Sequence, residues 1–205
     1  MHIVDGALAN SVVAGGAVVA VGGIALGLRH LPIEKIPAAG VLSASFFVAS
    51  LIHVPVGPSS VHLILNGLAG LVLGWAAFPA LFVGLLLQAV FFGFGGLTVL
   101  GINAVNIAMP AVIAGLVFRP MIGRGSHVAG AIWGGIGGAF AITLTTLMVA
   151  ISLMMSGEEF NAAAKLVFFT HIPVMGIEAV LTAAAVYLAR TVKPELFSTM
   201  KGPNA

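Results

Sequence analysis

The sequence predicts an all-α, polytopic membrane helix bundle with about seven transmembrane helices. Of its 205 residues, 60% are hydrophobic and only 7% are charged, and the mean hydropathy is +1.18. Because these few charges cannot cover a water-facing surface, most of the outer surface must face lipid. Several apolar runs also approach the roughly 17 to 25 helical residues that cross a bilayer.

The predicted elements follow in order along the chain. The seven apolar stretches cover residues 11–28, 38–54, 61–76, 78–93, 104–118, 128–155 and 172–189. Prolines and glycines separate most of them. The third, fourth and fifth are short, so we expect neighbouring helices or a thinner bilayer to shelter them. We expect one transmembrane domain over residues 1–190 and a polar cytoplasmic tail over 191–205.

Positive charge predicts the orientation, because Lys and Arg near helix ends favour the cytoplasmic side. With the N-terminus outside, all of the eight basic residues except Lys165 fall in the cytoplasm. We therefore expect a multi-pass protein of the cell inner (plasma) membrane, with the C-terminus cytoplasmic. A cleaved signal peptide is the competing interpretation, but nothing before residue 11 is basic and the apolar run is long for a signal core. We expect a retained helix behind a short external arm, residues 1–10.

The composition also excludes several function classes. The positive surplus is only two charges and no basic stripe appears, so nucleic acid is not an expected partner. There is no Cys to supply a thiolate. The chain has no Gly-Lys-Ser or Gly-Lys-Thr phosphate loop and no His-Glu-x-x-His pair, so we expect neither an ATPase nor a metalloprotease.

Histidine is concentrated on one side of the predicted topology. His2, His53, His62 and His171 fall at or near the external surface, and imidazole is a common ligand of Ni, Co, Cu and Zn. A single His at a helix end is also often only a hydrogen-bonded residue, and for His53 and His171 we favour that alternative. We expect His62 at the start of a short helix, where the hydroxyls of Ser59 and Ser60 could hold its ring.

His2 differs because it follows the initiator. We expect Met1 to be retained, since a bulky second residue blocks its removal. The α-amine of Met1, the amide nitrogen of His2 and the His2 imidazole can then close adjacent chelate rings around one ion, with a fourth position open for His62. Ni(II) and Cu(II) best reward the loss of an amide proton. Asp5 could accept hydrogen bonds from nearby backbone amides or act as an outer partner of the metal.

Two further features leave alternatives open. Gly130, Gly134 and Gly138 lie on one helical face, which indicates close helix packing, either within the chain or with a partner subunit. Glu178 lies within the last apolar stretch, where an ionisable group suggests function. A proton- or sodium-coupled carrier for a divalent transition metal is therefore the alternative to a metal-capture subunit.

Three segments resemble the CbiM/NikM family, the substrate-specific membrane components of energy-coupling factor transporters for cobalt or nickel. They are the opening Met1-His2-Ile3-Val4-Asp5-Gly6, the Ser59-Ser60-Val61-His62 turn, and the Phe92 to Asn103 loop followed by Asn106. Many relatives carry an aromatic residue where this chain has Ala7, so the arm is less bulky here.

The resemblance implies a seven-helix subunit whose arm plugs into the bundle. It implies that the metal is held by nitrogen atoms of Met1 and His2 and by His62, and we expect Thr98, Asn103 and Asn106 to satisfy the arm's backbone groups. Ni(II) or Co(II) would be the transported substrate, with no organic cofactor. The implied partners are a transmembrane coupling subunit, a pair of cytoplasmic ATPases and a small accessory membrane protein, all working in the lipid bilayer.

Overall fold

The fold is an all-α bundle interrupted by one short β-hairpin. The computed structural model describes residues 2–56 and 58–197, so Met1 and the tail beyond residue 197 lie outside the described residues. The elements are α1 (Asn10–Arg29), α2 (Ile36–Ala49), β1 (His53–Val56), β2 (Ser59–His62), α3 (Asn66–Leu73), α4 (Ala77–Phe92), α5 (Leu100–Ile122), α6 (His127–Met154), α7 (Asn161–Thr170) and α8 (Ile172–Val192).

Within the described residues, five helical runs are long and apolar enough to cross a membrane. They cover Asn10–Arg29, Asn66–Phe92, Leu100–Ile122, His127–Met154 and Glu158–Val192. Their outer faces carry large apolar side chains such as Val18, 74% exposed, and Val180, 69% exposed, as a lipid-facing surface requires. The all-α membrane bundle is thus confirmed, while seven crossings and the sides of the termini stay predictions.

Helix α5 forms the centre of the bundle and packs against α1, α3, α4 and α6. Its contact with α3 is close because glycine faces it: a Cβ added to Gly70 would lie 1.8 Å from the carbonyl oxygen of Ala111. Asn66, the first residue of α3, donates to the Ile107 carbonyl at 2.8 Å and to the Thr145 hydroxyl at 2.9 Å. The start of α3 is therefore fixed deep inside the protein.

Glycine also sets the contact between α6 and α8. A Cβ on Gly134 would lie 2.7 Å from the Val186 side chain, and one on Gly138 would lie 2.6 Å from the Thr182 hydroxyl. These glycines, with Gly130, serve packing within the chain, because they let two long helices approach closely.

The hairpin corrects the sequence-based prediction of helix over 38–54 and 61–76. Helix α2 ends at Ala49, and β1 then pairs antiparallel with β2, placing His53 opposite His62. Pro55 and the β-branched Val54 and Val61 favour extended backbone over helix. His62 is therefore the last residue of a strand, and the expectation that it begins a helix was wrong.

The predicted tail begins by packing on the bundle. Phe197 is buried, and Arg119 of α5 donates to the Leu196 carbonyl oxygen at 3.1 Å. Residues 191–197 are thus held against the protein by both a side chain and a backbone contact.

Candidate metal centre

The N-terminal arm is inserted into the bundle between the hairpin and the loop before α5. His2 is 4% exposed and Ile3 is 0% exposed. The Val4 amide donates to the Pro58 carbonyl at 3.2 Å, and the Asp5 amide donates to the Gly95 carbonyl at 2.7 Å. The arm is therefore tied by its backbone to both walls.

Asn103 holds the next residue through both of its amide groups. Its Oδ1 accepts from the Ile3 N–H at 3.0 Å, and its Nδ2 donates to the Ile3 carbonyl at 3.0 Å. One side chain thus satisfies the whole backbone of a buried residue that has no secondary structure of its own. This pairing fixes how far the arm enters the bundle.

Asp5 anchors the other end of the arm to the loop. Its Oδ1 accepts from the Thr98 hydroxyl and, at 3.3 Å, from the Val99 amide. Gly96, with φ of 109°, makes room for the carboxylate, since a Cβ there would lie 2.0 Å from Asp5 Oδ2. Asp5 and Thr98 therefore bind each other and the loop before α5, and within residues 2–56 and 58–197 the hydrogen bonds of the Asp5 carboxylate go to this loop.

Asn106 does not join the arm, contrary to expectation. It exchanges hydrogen bonds with Ser152 of α6, at 3.1 Å and 3.2 Å. Three residues after Asn103, it lies almost one turn further into the bundle, where it links two helices. Ser59 and Ser60 also differ from each other: Ser60 Oγ lies 3.5 Å from the His2 amide nitrogen, whereas the buried Ser59 hydroxyl has no hydrogen-bond partner in the described structure.

The imidazoles of His2 and His62 face each other in the interior. Their rings stack with centroids 4.8 Å apart, and His2 Nδ1 lies 3.2 Å from His62 Nε2. Two nitrogen ligands at about 2.0 Å from one ion and about 90° apart are separated by about 2.8 Å. The observed distance is therefore close to that of two neighbouring ligands of one metal.

Gln88 determines which His2 nitrogen carries the proton. Its Oε1 lies 2.6 Å from His2 Nε2, and its Nε2 donates to the Ser50 hydroxyl. The Ser50 hydroxyl in turn donates to the Phe46 carbonyl at 2.8 Å, so Ser50 can only accept from Gln88. Gln88 Oε1 must then accept from His2 Nε2–H, which leaves Nδ1 with a free lone pair towards His62.

A backbone contact sets the tautomer of His62 in the same way. His62 Nδ1 lies 2.8 Å from the Leu63 carbonyl oxygen, to which only an N–H can bind. Its Nε2 then bears the lone pair. With these tautomers both facing nitrogens present lone pairs, and both can bind a cation placed between them.

Burial keeps both rings neutral. Desolvation, aided by the nearby charge of His53, lowers the pKa of His2 to about 3, and desolvation with the His2 charge lowers the pKa of His62 well below 6.5. Neutral imidazole is the form that binds metal. At neutral pH both rings are therefore ready to act as ligands without losing a proton.

The described residues do not add a third His, Cys, Asp or Glu side chain to such a site. Among those residues no three His, Cys, Asp or Glu side chains are grouped so that they could hold a metal. Met1, the predicted source of the α-amine, lies outside them. The two imidazoles would need backbone, terminal or solvent donors to complete a coordination shell.

The other external histidines are placed differently. The His53 ring packs edge-on against Phe94 at 4.3 Å and lines, with His2, a cavity of ≈170 Å³. His171 is buried with Nδ1 2.6 Å from the Val167 carbonyl, and its Nε2 has no hydrogen-bond partner in the described ranges. Both rings thus have contacts of their own outside the facing pair of nitrogens.

Sequence reasoning missed Gln88 and Ser50. Gln88 was detectable, since it is a single amide in an otherwise apolar segment, and a buried polar residue in a membrane helix usually has a dedicated partner. Ser50 had no such signal, because a serine near a helix end has many ordinary roles.

Comparisons with known proteins show the family of the chain. The CbiM family, described as the cobalt uptake substrate-specific transmembrane region, matches residues 2–196. A protein of Haemophilus influenzae described as a metal transport protein is 42% identical over 210 residues, covering 97% of each chain. The fused nickel transport protein NikMN of Rhodobacter capsulatus is 28% identical over 86% of this chain, which spans 57% of that longer protein.

A solved structure described as that of a transition metal transporter has the same fold. It superposes with a TM-score of 0.72 at 27% identity and covers 94% of this chain and 93% of its own. With the family match over nearly the whole length, this agreement identifies the protein as a multi-pass membrane component of cobalt and nickel transport that belongs to the CbiM family.

Proposed function

We propose that this chain is the substrate-binding membrane subunit of an energy-coupling factor importer for Ni(II) or Co(II). The observation that carries the proposal is the pair of buried imidazoles whose unprotonated nitrogens face each other at 3.2 Å. His2 Nδ1 and His62 Nε2 supply two donors, and the α-amine of Met1 and the amide nitrogen of His2 supply the other two.

Such a donor set selects its ion by chemistry. Four nitrogens in a dry site favour transition metals over Mg(II) and Ca(II), which prefer oxygen. Coordination by a deprotonated amide favours a planar arrangement and therefore Ni(II) over Co(II). Asp5, Ser60, Thr98 and Asn103 keep the arm in place, so the binding atoms are arranged before the ion arrives.

The function is capture and release. With the N-terminus outside in a seven-crossing bundle, the ion enters from the external side and exchanges its water for nitrogen ligands. This chain has no phosphate-binding loop, so the energy for release comes from a pair of cytoplasmic ATPases acting through a transmembrane coupling subunit. A small accessory membrane protein completes the assembly, as the resemblance implies.

Acetylation of the Met1 α-amine tests the arm as chelator. An acetylated nitrogen is no longer an amine donor, so purified protein should lose most of its bound Ni(II) after passage over a desalting column. Protein carried through the same procedure without the acetylating reagent is the matched control. Full retention by the acetylated protein would exclude the amine as a donor.

Metal accumulation in cells distinguishes the importer from a gradient-driven carrier. Cells that contain this chain but lack the partner ATPases should not concentrate Ni(II) or Co(II). Accumulation that persists without the ATPases and collapses with the proton or sodium gradient would support the secondary carrier instead.

A further inference from the structure

Glu178 of α8 reaches the segment that follows His62. Its side chain is 0% exposed, and its Oε1 lies 2.5 Å from the Ile64 amide nitrogen and 2.8 Å from the Leu65 amide nitrogen. Its Oε2 has no hydrogen-bond partner in the described part of the chain. All of the recorded hydrogen bonding of this buried carboxyl group is therefore directed at two consecutive backbone amides.

Those amides belong to the turn that leads into α3. Leu65 has φ of 55°, and it is the one non-glycine residue with positive φ among those described. The two N–H groups also precede the first turn of α3, where amides lack partners within the helix. A carboxyl oxygen at this point satisfies both amides and stabilises a turn that a leucine otherwise disfavours.

One peptide group links this carboxyl to the metal centre. The N–H of Ile64, which donates to Glu178, and the C=O of Leu63, which accepts from His62 Nδ1, belong to the same planar peptide. The path therefore runs from the carboxyl through that peptide to His62 Nδ1–H, with Nε2 on the far side of the ring. Hydrogen bonds in such a chain polarise one another, and an acceptor on the distal nitrogen raises the basicity of a ligating histidine.

We infer that Glu178 is a positioning residue for His62, acting through the Leu63–Ile64 peptide to orient its ring and strengthen Nε2 as a ligand. This inference rests on the proposed function, since it takes His62 to bind the transported ion. It assigns to Glu178 a role in substrate affinity, in place of the ion coupling that its position in the last apolar stretch first suggested.

A double-mutant cycle tests the inference with Ni(II) alone. The full chain in detergent or lipid nanodiscs is titrated against a competing chelator as wild type, Glu178→Ala, His62→Ala and the double variant. Outer partners of metal-binding histidines typically contribute about 10- to 100-fold in affinity, so we expect Glu178→Ala to lose roughly that much. In the His62→Ala background the same change should cost less than about twofold, because the residue through which it acts is gone.

Two further variants separate positioning from general damage. Glu178→Gln keeps an oxygen that can accept from Ile64 and should retain more affinity than Glu178→Ala. Thr182 is buried one turn further along α8 and lies outside the path. The Thr182→Val variant should therefore bind Ni(II) as wild type does. The electron paramagnetic resonance spectrum of bound Cu(II) should show one coordinated imidazole fewer than wild type in Glu178→Ala, and the same loss is expected in His62→Ala.

The outcomes distinguish this inference from the proposed function. If wild type and His62→Ala bind Ni(II) equally, the proposed site itself is wrong. If His62→Ala loses affinity but Glu178→Ala costs the same with and without His62, or leaves the Cu(II) spectrum unchanged, Glu178 serves the fold only and the inference is overturned.

Discussion

The two imidazoles of the candidate metal centre are supported by different kinds of structure. His2 is oriented by side chains: Gln88 of α4 accepts from its ring, and Ser50 fixes the orientation of Gln88. His62 is oriented by backbone, since the Leu63 carbonyl accepts from its ring and Glu178 holds the following amides. The two supports share none of these groups, so each can be removed without directly altering the other.

His2 and His62 also differ in how many contacts hold their segments in place. His2 belongs to an arm with no secondary structure, which docks by a few hydrogen bonds and the burial of Ile3. His62 ends a strand and is followed by α3, whose first residue binds two elements of the core. In the proposed function, release of the ion would begin most easily with His2, because withdrawing the arm breaks fewer core contacts than moving α3.

Removing either ring should have the largest effect. Structural zinc sites with four ligands gain about 10 to 16 kcal/mol, so each ligand contributes roughly 100-fold or more to affinity. We expect His2→Leu, whose bulky side chain keeps Met1 in place, to weaken Ni(II) binding by more than His62→Ala, because it also opens a chelate ring and leaves Gln88 Oε1 unpaired. Competition with a chelator measures both losses, and equal, small losses would contradict the site.

Gln88→Leu should have the next largest effect. Without Gln88, the proton of His2 is free to move to Nδ1, the nitrogen that must bind the ion, and we expect affinity to fall by about 10- to 100-fold. The loss should disappear in a His2→Leu background and persist in His62→Ala. A loss that persists in the His2 variant but disappears in His62→Ala would show that Gln88 acts through His62 and that the two supports are coupled.

The sequence could predict the His2 side of the centre better than the His62 side. The position of His2 next to the initiator and the acidic turn at Asp5 indicated a metal-binding arm that turns back towards the helices, and the family resemblance implied that Asn103 holds it. The hydrophobic pattern correctly predicted a helical membrane bundle, because long apolar runs have few other solutions in lipid.

The hairpin could not be predicted as readily, for a physical reason. Residues 53–62 contain two Pro, two Ser and one Gly, which indicate a turn, but each strand is only four residues long, too short for a periodicity that separates strand from helix. The contacts that orient His62 also cannot be read from the sequence. Every residue has a backbone carbonyl, so nothing distinguishes that of Leu63, and Glu178 lies more than 110 residues away along the chain. Only the folded chain joins them.

Asn103→Ala should affect the docking of the arm more than the coordination of the metal. The change leaves the N–H and C=O of Ile3 without partners in a buried site, and each unpaired group costs about 1 to 3 kcal/mol. We expect faster release of Ni(II) and faster hydrogen exchange at residues 3–5 in metal-free protein. Asn106→Ala is the matched control: it should lower thermal stability by breaking the Ser152 pair and leave the exchange of the arm unchanged.

His53→Ala should have the smallest effect. The ring shares a cavity with His2 and lies opposite His62 in the hairpin, yet it packs against Phe94 and its Nδ1 lies 3.3 Å from the Leu51 carbonyl oxygen. We expect less than about twofold change in Ni(II) affinity, since removing a partly exposed ring outside the site costs little. A loss comparable to that of His62→Ala would mean that His53 enters the coordination shell when the ion binds. The hairpin would then supply two ligands, His53 and His62, and the arm would supply His2. The comparison between hairpin and arm would have to include this third imidazole.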